Sequence, residues 1–257
     1  MGNFSAQAAD FRPTEDHRPA KLANRLYQTS TMAALLDAVY DGDTTMAKLL
    51  EHGDFGIGTF DALDGELILL DGVVRQFRED GLADEVAPDI KTPFACATFF
   101  EPEQTLRIAQ PASKQELELL VDRMVGNDNL FAAVRATGLF EDMETRTVFR
   151  QSVPYPPMLD VVSRQPTLKL GNTGGVLIGF RTPEYMQGIN VAGYHLHFLT
   201  TDRRRGGHVL NYRLLEGTLE VAVMSDLEID LPRSKAFARA NLCPADLNEA
   251  ILVAEGR

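Results

Sequence analysis

The chain has 257 residues, 44% of them hydrophobic and 24% charged, a balance ordinary for a folded globular protein. Its formal net charge of −12 argues against a nucleic-acid or anionic-membrane surface, either of which wants a basic face. No apolar run approaches the roughly 20 residues of a membrane-spanning helix, and Cys96 and Cys243 lack metal-ligand spacing.

In chain order, residues 1–22 are polar, carry Pro13 and Pro19, and read as a flexible arm with no signal-peptide core. Met1-Gly2 matches the start of a myristoylation signal, but Ala6 stands where serine or threonine is required. A cytoplasmic protein is the expectation. Ser30-Thr31 can cap a helix running to about Val39, and Asp43 a second over residues 44–52, closed by Gly53. Residues 59–77 read as strands joined by turns, with Asp71-Gly72 a hairpin signal, and another strand is expected over 92–100. Ser113 and Glu116 form a capping box opening an amphipathic helix to about Met124.

Separate strands are predicted over 130–139 and 145–149. The proline-rich stretch 153–158 then marks a candidate boundary between regions 23–158 and 159–257. Beyond it come strands over 175–180, 217–224 and 227–231, and a terminal helix from about Pro244. Helices stand in groups beside many strands, without βαβ alternation. The fold class is therefore α+β, with two mixed or antiparallel β-sheet regions and flanking helices.

Three of the five histidines fall within residues 193–212. His195 and His197 are two apart, so on a strand both point to one face, while Tyr194, Leu196 and Phe198 point to the other. Residues 202–207 supply turn chemistry. A turn centred between Asp202 and Arg203 places His208 directly opposite His197, with Cβ atoms roughly 5 Å apart. Three imidazoles then converge as a metal site on a β-hairpin, with coordination positions left for a substrate. A slip of one residue would turn His208 to the wrong face. Zinc suits nitrogen ligands best, although the set admits iron, manganese or nickel.

Three further polar residues stand in apolar context. Glu66 shares a strand face with Ile68 and Leu70; facing inward it is a desolvated carboxylate suited to proton transfer, and otherwise it ends the Asp64-Gly65 turn. Arg146 can hold a carboxylate or face solvent as an ordinary strand residue. Glu255 would ordinarily belong to a fraying tail.

Residues 56–72, 145–149, 154–158 and 193–208 together resemble the bacterial α-acetolactate decarboxylase family, a likeness running from about Leu26 to Glu255. The resemblance implies that His195, His197 and His208 bind zinc (Zn2+). It implies that Glu66, Arg146 and Glu255 line the pocket as catalytic residues, and that Thr59 is a substrate-binding residue. It further implies a homodimer and the conversion of (S)-2-acetolactate to (R)-acetoin and carbon dioxide through a zinc-stabilised enediolate. Three rivals share the histidines: a zinc hydratase or hydrolase, a cupin-like metal dioxygenase, and a metal-stabilised protein that binds keto acids without turnover.

Overall fold

The strand Glu66–Leu70 shows how the chain builds its layers. Glu66, Ile68 and Leu70 face one way, Leu67 and Leu69 the other, and all five are buried. Ile68 and Leu70 enter the largest apolar cluster, between two sheets, whereas Leu67 and Leu69 pack with Met46 and Leu49 on the outer face. The computed structural model describes residues 23–256, so the arm expected over 1–22 lies outside the described residues.

The first sheet runs, edge to edge, through Asp226–Asp230, Arg25–Thr29, Ala95–Thr98, Phe55–Thr59, Glu66–Leu70, Val73–Phe77 and Ala83–Glu85. Its pairings are antiparallel except at the edge formed by Arg25–Thr29 and Asp226–Asp230, which run parallel. In the second sheet Phe131–Arg146 lies between Thr167–Thr182 and Gly206–Met224. Gly193–Thr200 pairs with both Thr167–Thr182 and Gly206–Met224, so these four strands pair in a closed cycle. The helix Lys114–Val125 covers the outer face, burying Leu117, Val121 and Val125 against Val134, Leu177, Leu196 and Phe198. The architecture is α+β, as the sequence pattern predicts. Among the described residues no helix is long and apolar enough to cross a membrane.

Several boundaries differ from expectation, each for a local reason. The first helix is only Met32–Leu36, because Ala38 takes a left-handed φ of 62° and ends it. Thr45, not Asp43, caps the second, Met46–Leu50; the Asp43 carboxylate instead accepts from the Arg233 backbone N–H. The strands expected over 130–139 and 145–149 are one strand, Phe131–Arg146, whose acidic stretch near Asp142 is a bulge with φ 51° at that residue. The capping box at Ser113 forms, and the helix ends at left-handed Gly126.

The sheets do not follow the expected boundary at 158. Phe131–Arg146 precedes it yet pairs with strands that follow it, and Asp226–Asp230 follows it yet extends the first sheet. Burial explains this exchange. The main cluster joins Ile57 and Phe77 of the first sheet to Phe180 and Ala222 of the second, so neither stretch encloses its own core.

Candidate functional site

The histidine hairpin has the register that the spacing predicts. Leu199 pairs with Gly206, Phe198 with Gly207 and His197 with His208, which centres the turn between Asp202 and Arg203. The turn is held by Thr200 N–H on the Arg205 carbonyl at 2.9 Å and by Asp202 Oδ1 accepting from Thr200 Oγ1 at 2.6 Å. The two glycines before His208 are structural requirements. A Cβ on Gly206 would meet the Phe198 carbonyl at 2.0 Å, and Gly207 adopts φ 138° against the Arg146 carbonyl.

His195, His197 and His208 are all buried, and their nearest ligand atoms lie within 4.8 Å of one another. Leu196 and Phe198, on the opposite face, enter the second apolar cluster. His197 Nδ1 lies 2.9 Å from the Leu67 carbonyl, which assigns it the proton and leaves Nε2 a lone pair. That Nε2 is buried with no hydrogen-bond partner. Burial first, then the neighbouring His195, holds the His197 imidazole well below its usual range; burial and Arg146 do the same to His208. Converging, buried nitrogens, two of them held neutral by burial and one of those orphaned, fit a divalent cation.

The remaining polar residues come from distant segments. Arg146 is the direct cross-strand partner of His208. Glu66 Oε2 lies 3.6 Å from His197 Nε2, and Glu255 Oε2 lies 3.7 Å from His208 Nε2. Both carboxylates are buried, so Glu255 is no fraying tail: the helix Leu247–Ala254 carries it inward behind Ile251 and Ala254. Burial pushes the Glu66 carboxyl up to about 8, with Arg146 opposing and Glu255 adding to the shift. Arg146 donates from Nη2 to the Ala254 carbonyl, while Nε and Nη1 are buried without a partner. Thr59 donates from Oγ1 to the Gly65 carbonyl at 2.7 Å, leaving only lone pairs for a ligand.

These groups, with His195 and His208, line one half of a small, partly open cavity. The other half is apolar and was not singled out in the sequence: Met32 and Leu35 from one short helix, Met158 and Val162 from another, with Leu63, Phe94 and Val148 between. Leu63 is directed there by left-handed φ values of 59° and 52° at Ala62 and Leu63, for which no glycine gives a signal. Met32 follows the cap residue Thr31, and Met158 ends the proline-rich stretch, so both stood beside motifs without belonging to them.

Comparisons with known proteins point to one family. The family model for alpha-acetolactate decarboxylase matches residues 26–244. The chain belongs to the alpha-acetolactate decarboxylase family. It is 51% identical over 226 residues to the alpha-acetolactate decarboxylase of Klebsiella aerogenes, covering 88% of this chain and 87% of that one. The Bacillus subtilis alpha-acetolactate decarboxylase is 42% identical over 233 residues, 91% of each chain. Its crystal structure superposes with a TM-score of 0.89, covering 91% of this chain and all (100%) of that chain. A Staphylococcus aureus protein described as similar to alpha-acetolactate decarboxylase superposes at 0.87 with 33% identity, covering 90% of this chain. The alpha-acetolactate decarboxylase family match ends before Glu255, so that residue's place in the site rests on the geometry.

Proposed function

We propose that the chain decarboxylates 2-acetolactate to acetoin and carbon dioxide in this cavity, with zinc on His195, His197 and His208 and with Arg146, Glu66 and Glu255 as catalytic residues. The observation that carries the reading is the placement of the orphaned His197 Nε2 and its two partner imidazoles between two buried carboxylates and a buried guanidinium. The family membership supplies the lyase chemistry.

Acetolactate is a β-keto acid. Breaking its C–CO2 bond leaves an electron pair that moves onto the ketone oxygen, and a proton must then reach carbon. A divalent ion on the three histidines supplies the Lewis acidity that makes that oxygen a better electron sink. Arg146 has two nitrogens, Nε and Nη1, free to hold the departing carboxylate, while its bond to the Ala254 carbonyl fixes the guanidinium. That grip must stay moderate, because stabilising the ground-state anion more than the transition state slows the reaction. Glu66 and Glu255 reach the site beside different imidazoles and handle the proton, one of them delivering it to a single face of carbon to give (R)-acetoin. Thr59 can accept a hydrogen bond from the substrate hydroxyl, since its own hydrogen is engaged. The apolar half receives the methyl groups.

The deciding experiment incubates purified protein with acetolactate and measures acetoin and carbon dioxide before chelation, after chelation and after zinc is restored. Loss and recovery of both products is expected; full activity without metal would overturn the zinc assignment. The reading also takes the enzyme to be a cytoplasmic homodimer, a state that light scattering of the purified protein checks.

A further inference from the structure

The segment between the strands Thr167–Thr182 and Gly193–Thr200 leads into the histidine strand and touches two other walls of the cavity. The carbonyls of Ile189 and Gly188 accept from the Met32 and Ala33 N–H groups at 3.0 and 2.8 Å, which sets the start of the helix that supplies Met32 and Leu35. Gly188 also abuts Leu247, the first residue of the helix that delivers Glu255; a Cβ on Gly188 would lie 2.7 Å from Leu247 Cδ2. Two residues after Val191, Gly193 begins the strand that carries His195.

A buried pair of amides holds this segment to the first sheet. Gln28, 0% exposed, donates from Nε2 to the Ile189 carbonyl at 2.7 Å and to the Ser30 carbonyl at 2.8 Å. Its Oε1 accepts from Asn190 Nδ2 at 2.8 Å. Asn190, 1% exposed, also donates to Cys96 Sγ at 3.2 Å, and its Oδ1 accepts from the Val191 N–H at 2.6 Å. Neither amide lines the cavity, so the decarboxylation chemistry does not use them. Apolar side chains would fill the same space without prescribing a direction, whereas amides with all their donors engaged fix position and register.

We propose that Gln28 and Asn190 are positioning residues: the Gln28–Asn190 amide pair pins residues 186–191 so that His195, the Met32 helix and the Glu255 helix meet in one catalytic geometry. The proposal rests on the decarboxylase reading for its kinetic consequence. Displacement of catalytic groups by about 1 Å can lower turnover roughly 100-fold, so a slackened junction is costly even in a folded protein.

The test uses the zinc-loaded full chain with Gln28→Met, Asn190→Leu and the double variant, all measured well below their melting temperatures. If Asn190→Leu does not fold, Asn190→Ser takes its place, keeping an acceptor near Val191 but losing the reach to Gln28. Expected are one zinc per chain, kcat lowered about 10-fold or more, and faster deuterium exchange in Leu247–Ala254. The double variant should lose less melting temperature than the sum of the single variants, because no side-chain amide is left orphaned although the Val191 N–H still is, and should not regain their lost kcat. Variants with lower melting temperatures but wild-type kcat and wild-type exchange would reduce the pair to ordinary core and overturn the proposal. A wild-type protein that makes no acetoin would refute the decarboxylase reading, and exchange in the terminal helix would still decide the pinning.

Discussion

The two halves of the polar site are built in opposite ways. The histidines come from one hairpin, where strand alternation and a centred turn set three side chains on one face within 14 residues, 195 to 208. Glu66, Arg146 and Glu255 come from a different sheet, a different strand and the terminal helix, and meet only because the two sheets share a core. A local motif gives a robust ligand set, while dispersed groups depend on packing far from the chemistry. The histidine half should therefore fail as a unit, and the dispersed half piece by piece.

The largest expected effect lies in the hairpin. His197→Ala should abolish both stoichiometric zinc and acetoin formation, measured by metal analysis and a product assay; retention of either would break the contrast. Deleting residues 255–257, which removes Glu255, should leave zinc bound but lower turnover by roughly 100-fold or more. Unchanged turnover would return Glu255 to a structural role. Arg146→Lys should lower kcat/KM by roughly 10- to 100-fold, the equivalent of one charge-assisted hydrogen bond of about 1.5–3 kcal/mol, with zinc retained.

The smallest effect concerns stability of the chelated protein. Burial depresses the folded-state values of His197 and His208 below the ordinary 6.5, so on acidification the unfolded chain takes up protons first. Their contribution is fully present above about pH 6.5 and is lost as pH falls below it. The melting temperature should decline from about pH 6.5 to 5. A rise over that interval would mean that these imidazoles are protonated in the folded state.

The hairpin was legible because its information is local: period-two alternation, turn residues and two glycines determine where His208 falls. Glu66 was half legible, since sharing a face with Ile68 and Leu70 pointed it inward but left its partner unnamed. Arg146 and Glu255 carried no local signal. One is an arginine in an alternating strand and the other ends a chain, and the family resemblance supplied their candidacy. The proline-rich stretch misled for a related reason: composition marks a turn in the chain but does not say which sheet the next strand joins. The cavity's apolar wall was hidden because Leu63, Met32 and Met158 look like core until the groups opposite them are known.

The closed cycle of strands around the hairpin bears on how the site is loaded. His197, His208 and Arg146 occupy neighbouring rungs with strands on both sides, while His195, opposite Phe180, is paired on one side only. Removing a bound metal should therefore leave His197 and His208 standing in place, with His195 the one of the three most able to move. Reloading is then a simple bimolecular encounter, first order in added metal, that needs no refolding step and reaches the same end point after repeated rounds of depletion.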